Sequence, residues 1–137
     1  MSQRISVNYN DPVTKFFIEK HDRVEFLRKI NKKLIEEISF HLHVRLYEFN
    51  QVVMNPGDVC DAIYFVLKGV MAVFVKSGDE EVIIDYLGKG SVIGQYSILA
   101  GENMLFGIKS VQAGGSAVIC LEKETLEKIR MKRYELD

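Results

Sequence analysis

Between Leu46 and Leu121 the chain is a series of short runs rich in β-branched and aromatic residues, each closed by turn chemistry, with a new run starting about every ten residues. No other feature limits the possible folds so much, because runs this short and closely spaced do not build helices. The predicted strands cover residues 46–49, 51–54, 62–67, 70–75, 81–87, 91–93, 105–112 and 116–121. Pro56-Gly57-Asp58, Lys68-Gly69, Ser77-Gly78-Asp79, Gly88-Lys89-Gly90 and Gly114-Gly115 punctuate them. Eight such strands in series imply a sandwich or a jelly-roll barrel. The expected fold class is mainly β with flanking α: an eight-stranded jelly-roll β-barrel with N-terminal helices and a C-terminal helix.

The flanks carry a different period. Asp11-Pro12 is a capping side chain followed by a residue with fixed φ, a strong helix start, and a second start is expected at Asp22. From Val24 to Leu46 the apolar residues Phe26, Leu27, Ile30, Leu34, Ile38 and Leu42 recur at three and four residues, which predicts an amphipathic helix or helix pair. Helix returns at Glu122 in "EKETLEKIRMKRYEL". The 137 residues thus read as one domain: a helical segment over 11–45, a β-roll over 46–121 and a C-terminal helix over 122–137, cut short at "RMKRYELD".

Composition narrows the function classes. With 18 basic against 19 acidic residues and a pI near 6.3, there is no electrostatic footprint for wrapping nucleic acid. No helix-turn-helix follows the roll, so DNA binding is not expected. Met1 to Asn10 is polar and no apolar run approaches the roughly 18 residues a bilayer span needs, so a cytoplasmic chain without membrane insertion is expected. Cys60 and Cys120 read as free thiols. His41 and His43, placed on the predicted helix, fall roughly 200° apart and make no metal edge. No histidine follows His43, as metal-dependent cupin enzymes would require, and no serine or cysteine has an evident base partner. Catalytic residues and metal ligands are therefore both expected to be absent. Asp79, Glu80 and Glu81 read as a solvated hairpin.

One stretch remains, "GQYSILAGENMLFGIKSV", Gly94 to Val111. A short helix opening after Gly94 would offer free backbone N–H groups to an anion. Yet no basic residue lies between Gly94 and Lys109. The order Pro56-Gly57-Asp58, then "YFVLKG" ending at Gly69, then "LGKGSVIG" ending at Gly94 resembles the cyclic nucleotide-binding domain family, in particular its channel-type version. The resemblance covers the chain from about Glu25 onward. It implies a helical bundle, a jelly roll, and C-terminal helices that act as lid and relay. It also implies a place in a larger channel-like protein, and through that parent a possible homo-oligomer.

In that family the loop after the glycine is the phosphate-binding cassette, Gly-Glu-x-Ala/Ser-Leu and then Pro-Arg-x-Ala-Ser/Thr-Val. Carried over, Gly94, Ser97, Ile98 and the pair Ser110-Val111 match. Gln95 stands in place of the glutamate, Phe106 in place of the proline and Gly107 in place of the arginine, and the cassette is about three residues longer than usual. The implied ligand-binding set is Gly94, Gln95, Tyr96, Ser97, Ile98, Ser110 and Val111, with cAMP or cGMP as ligand and no resident cofactor. Loss of an arginine–phosphate contact worth about 1.5–3 kcal/mol, or more where it leaves a buried charge unpaired, predicts binding roughly ten- to several-thousand-fold weaker. Lys109 alternates with Ser110 along a strand and is not expected to replace the arginine. Gly107→Arg is expected to raise affinity in a nucleotide-shaped pocket and not in a repurposed one. Alternatively, the pocket is empty or filled by the chain's own tail, where Tyr134 and Leu136 alternate as a strand would, although an unfinished lid helix explains that tail more simply.

Overall fold

The computed structural model describes residues 2–4 and 11–136. Asp11 caps the first helix, α1 (Pro12–Lys20), its carboxylate accepting from Val13 N at 2.7 Å. A 3₁₀ turn (His21–Arg23) leads to the single-turn α2 (Glu25–Arg28) and then to α3 (Lys32–Ser39), capped by Asn31. Strands follow. A five-stranded sheet has the order β1 (Ser2–Arg4), β2 (His43–Tyr47), β9 (Ser116–Glu122), β4 (Ala62–Lys68) and β7 (Val92–Ile93). A four-stranded sheet has the order β3 (Val52–Met54), β8 (Gly107–Ser110), β5 (Met71–Ser77) and β6 (Glu80–Leu87). All pairings are antiparallel, and β2–β9 supply the eight strands of the expected roll.

The predicted helix from Val24 to Leu46 stops early. After Ser39 the last turn tightens, with Phe40 N and His41 N donating three residues back to Glu37 O and Ile38 O. β2 then pairs with β9 from His43, opposite Cys120. His41 and His43 are therefore a turn residue and a strand residue rather than two positions on one helix. Leu42 continues the apolar period and is fully buried, yet it lies beyond the helix. In the same way, the strand expected from residue 105 narrows to Gly107–Ser110.

Sequence pattern and layering agree in the core. Ala62 to Val66 is buried without alternation because β4 is covered on both faces. On one of them, Phe65 meets Phe17 of α1 edge-on at 5.6 Å. The last helix, α5 (Lys123–Leu136), leaves β9 without a linker and packs on α3. The tail is helical to Leu136, in line with the expected C-terminal helix and not with the strand-like alternative, and the side chains of Tyr134 and Leu136 lie outside the described residues.

Candidate functional site

Gly94 closes β7 and caps a six-residue helix, α4 (Gln95–Ala100), at φ 89°. No other residue fits there. A Cβ on Gly94 would sit 2.7 Å from Cys60 Sγ and 2.9 Å from Ala62 O. The first helical bond runs from Ile98 N to Gly94 O at 3.0 Å, and no side chain caps the free N–H groups ahead of it. Gly101, at φ 68°, ends the helix, as Glu102 N donates to Ser97 O at 3.0 Å. The expected helical turn after Gly94 is present.

A cavity of about 360 Å³ opens at this helix start. One wall is Gly94, Gln95, Tyr96 and Ser97; the other is Val92, Met104, Leu105 and Phe106. No lining side chain carries a charge. Below the cavity, Cys60 donates to Ala62 O at 3.1 Å, and burial pushes its thiol pKa upward, only partly offset by that bond. Among the described residues, no group of three or more His, Cys, Asp or Glu could hold a metal ion.

The expected site residues divide. Gly94, Gln95, Tyr96 and Ser97 come together at the cavity. Ile98 is buried in the core behind it. Ser110 and Val111 do not line it. Ser110 Oγ lies 2.8 Å from Ser116 Oγ, fully buried, and Ser116 lines a separate cavity of about 710 Å³. Val111 N donates to Val70 O at 2.9 Å. These two residues are thus engaged with β9 and with Val70 rather than with the lining of this cavity.

Position 107 differs more sharply from expectation. Gly107 faces Phe74 across the β5–β8 pair, and a Cβ added there would overlap Cζ and the two Cε atoms at the far edge of the Phe74 ring, which is fully buried. The expected rescue by Gly107→Arg therefore has no room. Lys109 behaves as its strand position implies: its Nζ is 2.9 Å from Glu81 Oε1 and does not reach the cavity lining. Sequence reasoning missed the second wall. Its only local signal was "NMLF", an apolar run in a loop, and two of its members stay exposed, Leu105 at 62% and Phe106 at 41%.

The sequence profile of the cyclic nucleotide-binding domain matches residues 44–133. The chain belongs to that family. Among curated proteins it is 28% identical, over 71 residues, to the cAMP-activated global transcriptional regulator Vfr of Pseudomonas aeruginosa, covering 51% of this chain and 33% of Vfr. Among solved structures it superposes on the regulatory domain of Toxoplasma gondii PKA with cAMP, with a TM-score of 0.77 at 15% identity, covering 89% of this chain and 46% of the other. It also superposes on the regulatory subunit of a cAMP-independent protein kinase A from Trypanosoma brucei, in a mutant bound to cAMP in the A site (TM-score 0.68, 15% identity, 94% of this chain and 50% of the other). The chain thus spans half or less of the length of each of these proteins. They are a transcription regulator and kinase regulatory chains, and they lend no support to the channel-type version in particular.

Proposed function

We propose that the chain is a regulatory, non-enzymatic sensor in which a cyclic nucleotide enters the cavity at Gly94, weakly, and its occupancy is passed to α5. The observation that carries this reading is the cavity itself, opening on the first turn of α4 inside the family-matched stretch. A physical route to α5 supports it. Gly94 rests on Cys60; the next residue, Asp61, accepts from Lys123 N at 2.8 Å, and Lys123 begins α5. A ligand that shifts Gly94 therefore bears, through one peptide link, on the root of α5. α5 in turn touches α3, and α3 touches α1. Differential affinity for two positions of α5 is all such a sensor needs.

The test is thermal unfolding with cAMP and with cGMP, combined with hydrogen exchange at the start of α5. Saturation at a hundredfold excess over the dissociation constant stabilises by about 2.7 kcal/mol, and protection at residues 123–126 should change with it. A second reading is favoured by the uncharged lining: the same fold with an empty or self-occupied pocket, serving as a ligand-independent gating or assembly module. No shift with either nucleotide selects it. In both readings the domain reports to a larger protein, channel-like or otherwise, within which it would associate with its copies.

A further inference from the structure

We infer that the cavity selects an uncharged, flat, largely apolar ligand, such as a nucleoside, over the same molecule bearing a cyclic phosphate. The inference rests on reading the cavity as a small-ligand site and names the class of ligand that site prefers.

Four observations converge on it. The lining has no charged side chain, and its polar part is confined to backbone, the Gln95 amide and the Tyr96 and Ser97 hydroxyls. The Ser97 hydroxyl faces Met104 Sδ at 3.4 Å and Asn103 O at 3.5 Å, so it already has partners inside the protein. The two cations nearest along the chain are engaged elsewhere, Lys109 with Glu81 and Lys89 over the Phe16 ring. At position 107 the space a side chain would need belongs to Phe74. The cavity mouth, by contrast, is largely apolar and exposed: Tyr96 is 60% exposed, Leu105 62% and Phe106 41%.

Magnitudes then decide between ligands. A phosphate entering this cavity meets the free N–H groups of the first turn of α4 but no charged side chain, so the hydration it loses is replaced by neutral donors alone. A nucleoside loses far less hydration, while its ring system gains the apolar contact that pockets of roughly 300–1,000 Å³ provide. Gln95 fits the same ligand, because a neutral amide both donates and accepts, and so can meet a ribose hydroxyl or a ring nitrogen without a charge on either side.

The experiment is calorimetric titration of the whole chain with two matched pairs, adenosine against cAMP and guanosine against cGMP. The members of each pair differ in the cyclic phosphate. The nucleoside of at least one pair should bind about tenfold or more tightly than its cyclic phosphate. Leu105→Arg places a guanidinium on the cavity wall at an exposed position, where it disturbs no core packing. It should shift the preference about tenfold or more toward the cyclic phosphate, and Leu105→Gln, with no charge, should keep the wild-type order. If the cyclic phosphate binds as tightly as its nucleoside, or more so, in both pairs on the wild type, the inference is overturned while the sensor reading stands. If none of the four ligands produces heat or a melting shift at millimolar concentration on folded protein, the sensor reading itself fails, and the inference with it.

Discussion

The two walls of the cavity face one another and are built on different principles. The α4 wall is backbone: Gly94 at positive φ, seated on Cys60 and Ala62, presents its first turn whatever the side chains at 95–97 are. The opposite wall is side chain. Met104, Leu105 and Phe106 line it, and the strand that follows is committed to packing on Phe74 and to the Ser110–Ser116 bond. A shape held by backbone sterics survives extensive substitution of its neighbours. A charge supplied by one side chain does not, and this chain keeps the shape of an anion cradle without its cation.

Substitutions can break or sharpen that contrast. The largest effect is expected at the support of the side-chain wall: Phe74→Ala empties a fully buried ring site and should cost about 3–5 kcal/mol in urea unfolding. In that background Gly107→Ala should be tolerated, whereas alone it overpacks the ring. Next is the backbone wall, where Gly94→Ala meets both a left-handed backbone and the Cys60 sulfur, and should cost about 2–4 kcal/mol. Cys60→Ala should recover part of that loss, a non-additivity visible only if the two residues touch as described.

The same thiol gives a pH signature. Burial raises the folded-state pKa of Cys60 above 9.0, so as pH climbs past 9 the unfolded chain loses its proton first, and the stability contributed below that pH is lost. Unfolding midpoints should fall from pH 9 upward, less steeply in Cys60→Ala. Ser110→Ala should cost about 1 kcal/mol through the Ser116 bond and leave ligand affinity unchanged, since Ser110 is not a cavity residue. Smallest is Lys109→Met, which removes a partly exposed pair with Glu81, worth under about 1 kcal/mol, and should also leave ligand affinity unchanged.

What the sequence revealed of this arrangement follows the range over which each interaction acts. The strands and the Gly94 helix start were legible because alternation, turn residues and a capping glycine act within a few residues. The end of α3 was not: Leu34, Ile38 and Leu42 keep a helical period, and only pairing with β9, over seventy residues away, draws His43 into a strand. The partner of Ser110 was not legible for the same reason, because the hydroxyl it meets belongs to Ser116 on another strand. The emptiness of position 107 was visible as a glycine, but its cause, the Phe74 ring, lies across a sheet.

The central claim is that the missing cation cannot be restored at position 107, because Phe74 owns that space. Gly107→Arg, followed by circular dichroism and a cAMP titration, tests it most directly. A variant that is strongly destabilised or unfolded, with no gain in cAMP affinity, is the expected result. A stably folded Gly107→Arg protein that binds cAMP more tightly than the wild type would contradict it.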